Sequence, residues 1–79
     1  MQRRLGAVAI ENIDNPGWSL RIELVDTSLE AADFSEVLIE RSENDWVHCK
    51  VEKSVFQGYG GPENLGEILG LFLDWVDSI

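Results

Sequence analysis

The apolar pattern of the chain predicts an α+β domain: a small antiparallel meander of four strands with one C-terminal helix packed on one face. Trp18, Leu20, Ile22 and Leu24 alternate with Ser19, Arg21 and Glu23, and Val47, Cys49 and Val51 alternate with Trp46, His48, Lys50 and Glu52. A period of two is that of a half-buried strand. Leu65, Ile68, Leu69, Phe72, Trp75, Val76 and Ile79 recur instead at the spacing of one helix face. The 79 residues contain no repeat, low-complexity run or linker, so residues 1–79 read as a single domain.

Ala7 to Ile13 forms a weaker first strand. After it, Pro16 and Gly17 suit the two central positions of a type II turn, with Asn15 at its start. Asp14 reads as a local hydrogen-bond acceptor of that turn rather than a catalytic base. For Val8 and Ile10 to face Leu20 and Ile22, the connection must be odd in length or contain a bulge. Asp26 to Glu36 is a connecting segment without periodicity. Val37 and Ile39 lead the third strand, and they share a face with Val47, Cys49 and Val51 only across an odd loop. The simplest is Glu43-Asn44-Asp45, with Asn44 or Asp45 in the left-handed conformation. Gly58-Tyr59-Gly60-Gly61 reads as a flexible connection into the helix, with Pro62 in its first turn and Glu63 near the positive end of its dipole. As an anion-binding loop it is weak, because no lysine follows it.

Fifteen acids against six bases give a net charge of −9, and no Lys or Arg follows Lys53. Such a field repels nucleic acid and anionic lipid and steers basic partners inward. The one cysteine excludes an internal disulfide, so a cytoplasmic location is expected. Arg3-Arg4 precede an apolar run that Glu11 ends, short of the usual ~7–15 residues of a signal core. No run approaches the ~20 apolar residues of a membrane span.

His48 and Cys49 are the only residues of their kinds and are adjacent. On a strand they point to opposite faces, so they can form neither a nucleophilic dyad nor one metal site. Cys49 reads as a small core residue, and His48 as an outer-face residue opposite Glu40. The serines lack a second histidine to activate them. No catalytic, cofactor-binding or metal residue is expected, and an enzyme using Cys49 survives only if Cys49 lies outside a strand. Trp75 and Trp18 point inward. Trp46 falls on the other parity, either partly exposed as an interface anchor or packed against Asp26–Glu36. The expected partner-binding residues are Trp46, His48, Glu40 and Asp45.

The stretches "IDNPGWSLRIELVDTSLE" and "ERSENDWVHCKVEKSVFQGYGGPENLGEILGLFLDW" resemble the immunity-protein family numbered fifty-three, of bacterial polymorphic toxin systems. The resemblance rests on Asp14-Asn15-Pro16-Gly17-Trp18, Asp26-Thr27, Asp45-Trp46, Phe56, Gly58, Gly60-Gly61 and the helix through Phe72 and Trp75. It runs from Gly6 onward, and Met1 to Leu5 stand where the family carries an aromatic-rich segment. It implies a protein that binds and occludes a cognate toxin without chemistry of its own; no cofactor is expected, and the acidic field leaves neither nucleic acid nor membrane as a partner. The acidic surface would match a basic toxin domain, such as a nuclease. The alternative is a homo-oligomeric structural or regulatory module whose outer sheet face is a dimer interface.

Overall fold

In the computed structural model, which describes residues 7–13 and 16–79, the sheet has five strands rather than four. They are β1 (Val8–Ile13), β2 (Gly17–Glu23), β3 (Val37–Ser42), β4 (Asp45–Glu52) and β5 (Val55–Gly60), followed by helix α1 (Leu65–Asp77). The order across the sheet is β1-β2-β5-β4-β3, antiparallel throughout. The expected simple meander is therefore corrected: β5 inserts between β2 and β4 and becomes the central strand. Its reading as a loop fails because Gly58 and Gly60 are not there for flexibility. Gly58 stands opposite both Leu20 and Cys49, and a Cβ on it would overlap Ile68. A Cβ on Gly60 would come 2.9 Å from the Ile68 side chain. The two glycines are the groove in which α1 rests. β5 is reached from β4 by a two-residue turn, Lys53-Ser54, with φ of 54° and 63°. Positive φ at both central residues is the hairpin geometry that matches strand twist.

Strand parity holds where it was used. Val8 faces Ile22 and Ile10 faces Leu20, with Ile13 opposite Gly17, so residues 14–16 make the odd connection. Asp14 and Asn15, on which the start of the type II turn and the local-acceptor reading fall, lie outside the described residues. The turn's other half is corrected, because no described glycine has positive φ. Gly17 instead opens β2, where a Cβ would overlap the Gly60 carbonyl oxygen. Ile39 pairs with Val47 and Val37 with Cys49, as parity required. The device differs: a two-residue turn and a register shift between Glu40 and Ser42 replace the odd loop. Neither Asn44 nor Asp45 is among the residues with positive φ.

Leu20, Ile22, Leu24, Leu29, Val47, Cys49, Phe56, Ile68, Phe72 and Trp75 form one buried cluster between the sheet and α1. The helix begins at Leu65, after a turn in which the Asn64 N–H donates to the Gly61 carbonyl at 3.1 Å. Pro62 and Glu63 thus precede the helix rather than open it. Val76 and Ile79 were expected on its buried face but are 37% and 60% exposed, because Ile68, Phe72 and Trp75 make the sheet contact. The segment from Asp26 to Glu36 caps the far end of the core. Thr27 Oγ1 donates to the Leu24 carbonyl at 2.7 Å and accepts from the Leu29 N–H. Phe34 packs edge-on against Phe56 and Trp75, with centroids 5.4 and 5.0 Å apart, and Trp75 Nε1 donates to the Asp33 carbonyl. Edge-to-face packing is the favoured aromatic geometry.

Candidate functional site

With α1 on one face, the other face of the sheet has no element over it among the described residues. Side chains of one parity therefore cover the core, and those of the other parity meet solvent. The open face carries Trp46 paired with Glu40, then a row of Leu38, His48 and Tyr59, then Lys50, Gln57 and Arg21. Trp46, His48 and Tyr59 are half-buried, and Leu38 is 61% exposed. Three rings on neighbouring rigid strands make an apolar centre, and glutamates 11, 23, 36, 40 and 52 stand on the same side.

The backbone of Trp46 is clamped. Its N–H donates to Asn64 Oδ1 at 3.3 Å, and its carbonyl accepts from the Gly61 N–H at 3.1 Å. The indole is thus presented outward from a fixed main chain, beside a shallow depression lined by Glu40, Arg41, Ser42 and Glu43. Asn64 itself is buried, and its amide donates to Asp45 Oδ1 and to Glu67 Oε1, each at 3.0 Å. It precedes α1 but caps no backbone N–H with its side chain. That side chain ties the start of β4 to the helix instead.

His48 lies opposite Leu38, not Glu40 as expected, and its Nε2 meets Glu36 Oε2 at 2.6 Å. The cause is the register: Glu40 is taken by Trp46. Asp45 turns away from the open face and accepts from Arg41 Nε at 3.0 Å. Hydrogen bonds from Arg41 and Asn64 hold its carboxyl below the ordinary value of 3.8. The same contact with Asp45, joined by Glu67, raises the Arg41 guanidinium further above its already high value. Asp45 is therefore grouped with Arg41, Asn64 and Glu67, while Trp46, His48 and Glu40 remain together on the open face.

Cys49 is fully buried on the covered face, and burial pushes its thiol up to about 11, with Glu67 adding to the effect. It is shielded from His48 by the sheet itself. Among the described residues no set of three or more His, Cys, Asp or Glu side chains is placed to hold a metal ion. No described helix is long and apolar enough to cross a membrane. Tyr59 and Gln57 were absent from the expected site because β5 was not recognised as a strand, and Arg21, on β2, joins them only because β5 lies beside β2. The alternation of Val55, Gln57 and Tyr59 with Phe56, Gly58 and Gly60 is the signal that places them.

Over residues 3–77 the sequence matches the family described as immunity protein 53, and the chain belongs to that family. The match starts upstream of Gly6, where the resemblance in individual motifs begins. No curated protein and no solved structure is a match to the chain.

Proposed function

We propose that this protein neutralises a cognate bacterial toxin by binding it through the open face of the sheet, without chemistry of its own. Membership in an immunity-protein family supplies the toxin as partner. The observation that carries the surface assignment is Trp46, whose backbone is fixed by Asn64 and Gly61 while its indole lies uncovered beside His48 and Glu40. Rigid, partly exposed aromatics are the usual anchors of protein interfaces. Each loses little conformational freedom on binding, and their neighbours exclude water. A covering partner, rather than a substrate, suits a broad face whose depression beside Trp46 is open and shallow.

The net charge of −9 favours a basic toxin and raises the encounter rate at low salt. The cytoplasm is where such a partner would be met before export. The test is Trp46→Ala assayed against a toxin domain that the parent protein binds. Affinity falls by about 2 kcal/mol or more, and the melting temperature stays near that of the parent. Unchanged affinity would exclude the open face as the toxin-binding surface. Loss of a self-associated species in the absence of toxin would instead make the open face an interface between copies.

A further inference from the structure

The two edges of the sheet, β1 and β3, are built differently. β3 breaks register between Glu40 and Ser42 and carries Glu40 and Arg41 there, the bulge and charges that keep an edge from pairing. β1, Val-Ala-Ile-Glu-Asn-Ile, has no proline, pairs with β2 without a bulge and holds one charge, Glu11. Its residues from Val8 to Asn12 are all exposed. Val8 and Ile10 point to the helix side, yet are 53% and 47% exposed because α1 does not reach over them. Leu73 and Val76 are also exposed, at 58% and 37%. They lie on the flank of α1 away from Glu67, whose partner Arg41 is on β3, and so flank the β1 side. Among the described residues nothing pairs with the free edge of β1.

We propose that β1 pairs antiparallel with β1 of a second copy, centred on Ala9, so that the two sheets become one. The strand is self-complementary in this register. Val8 stands opposite Ile10 of the second copy and Ile10 opposite its Val8, two apolar pairs on the helix side. Glu11 falls opposite Ala7. A register centred on Glu11 would oppose the two carboxylates, which cross-strand pairing disfavours. The contact is isologous and closes on itself as a two-fold dimer. The open face is left free for the toxin, so this inference stands independently of the binding surface proposed above. Each copy carries a charge of −9, so association tightens as salt rises. That is the reverse of the response expected for a basic toxin.

Sedimentation velocity on the full chain, from micromolar to millimolar concentration at low and high salt, reads the dimer directly. Ile10→Lys, which points a charge inward at the edge, weakens dimerisation about tenfold or more. Leu38→Lys, on the opposite edge, leaves it unchanged, and circular dichroism confirms that both variants fold. Because residue 9 faces its own copy, Ala9→Cys forms a disulfide-linked dimer under mild oxidant, whereas Ile13→Cys does not. A monomer at every concentration and salt, or a dimer indifferent to Ile10→Lys, overturns the proposal, as does equal crosslinking at residue 13. A monomer whose β1 amides exchange slowly also overturns it, and would show that the chain's own first residues cover the edge.

Discussion

On the covered face Leu20, Val47, Cys49 and Phe56 are sealed from solvent under α1, while Trp46, His48 and Tyr59 stand half-buried on the other side of the same strands. Both faces are aromatic, but the rings are held differently. Phe34, Phe56, Phe72 and Trp75 pack on one another at centroid distances of 5.0–6.3 Å. Among the described residues, no second layer of protein lies over the open-face rings. A sheet that spends its apolar residues on both faces in so small a domain leaves one set for something other than folding. Burial, not residue type, separates the side chains that hold the fold from those available to a partner.

The largest effect is expected from Trp75→Ala on the covered face. Removing a ring that touches Phe34, Phe56 and Phe72 opens a cavity, and urea unfolding should show a loss of about 3–5 kcal/mol. A domain of this size has little more to lose. Next is Gly58→Val, which forces a side chain into Ile68 and should cost about 1–3 kcal/mol through overpacking. Its counterpart is Gly66→Ala. Nothing lies within 4 Å of a Cβ at that helix position, so the variant should gain about 0.5–1 kcal/mol in the same unfolding experiment. If the two glycine variants shift stability alike, the groove under α1 is misassigned.

Smaller effects sharpen the boundary between the faces. Cys49 should resist a thiol reagent at neutral pH in the folded protein and react quickly once the chain is unfolded. Its thiol is raised from 9.0 to about 11, so the folded state favours the protonated form. That contribution is complete below 9 and is lost as pH rises through about 11. Asp45 has the opposite sign. Its carboxyl is held below 3.8, so its contribution is present above that value and fades as pH falls through the lower folded value. Asp45→Asn should therefore lower the melting temperature modestly at neutral pH and flatten its acid limb, so that variant and parent converge as the carboxyl is protonated. An identical acid limb in the variant would show that the contact with Arg41 and Asn64 does not matter to folding.

Much of this arrangement was legible from parity alone. Trp46, His48 and Glu40 were placed on one outer face, and Cys49 on the inner one, because alternation leaves no other choice once Val47 and Val51 are inward. Two things were not legible. β5 hides because Gly58 and Gly60 look like loop residues. Their lack of side chain answers to Ile68, a residue distant in sequence. Its hairpin turn, Lys53-Ser54, also carries none of the usual Asn-Gly or Asp-Gly signature. The segment from Asp26 to Glu36 has no period of its own, since Phe34 and Asp33 are ordered by Trp75 across the fold. The surroundings of Asp45 were not legible for a related reason. Its partners, Arg41, Asn64 and Glu67, meet only when β4 and α1 are assembled.

The three tryptophans report on the two faces at once, because each indole N–H gives its own resonance. The indole of Trp18 donates to the Pro62 carbonyl and that of Trp75 to the Asp33 carbonyl, while Trp46 lies on the open face. Titrating nitrogen-15-labelled protein with a candidate toxin domain separates the two faces in one experiment. With the toxin on the open face, the Trp46 indole signal shifts or broadens on binding while the Trp75 signal stays in place. A moving Trp75 signal beside an unmoved Trp46 signal would contradict this placement and transfer the toxin to the helix side.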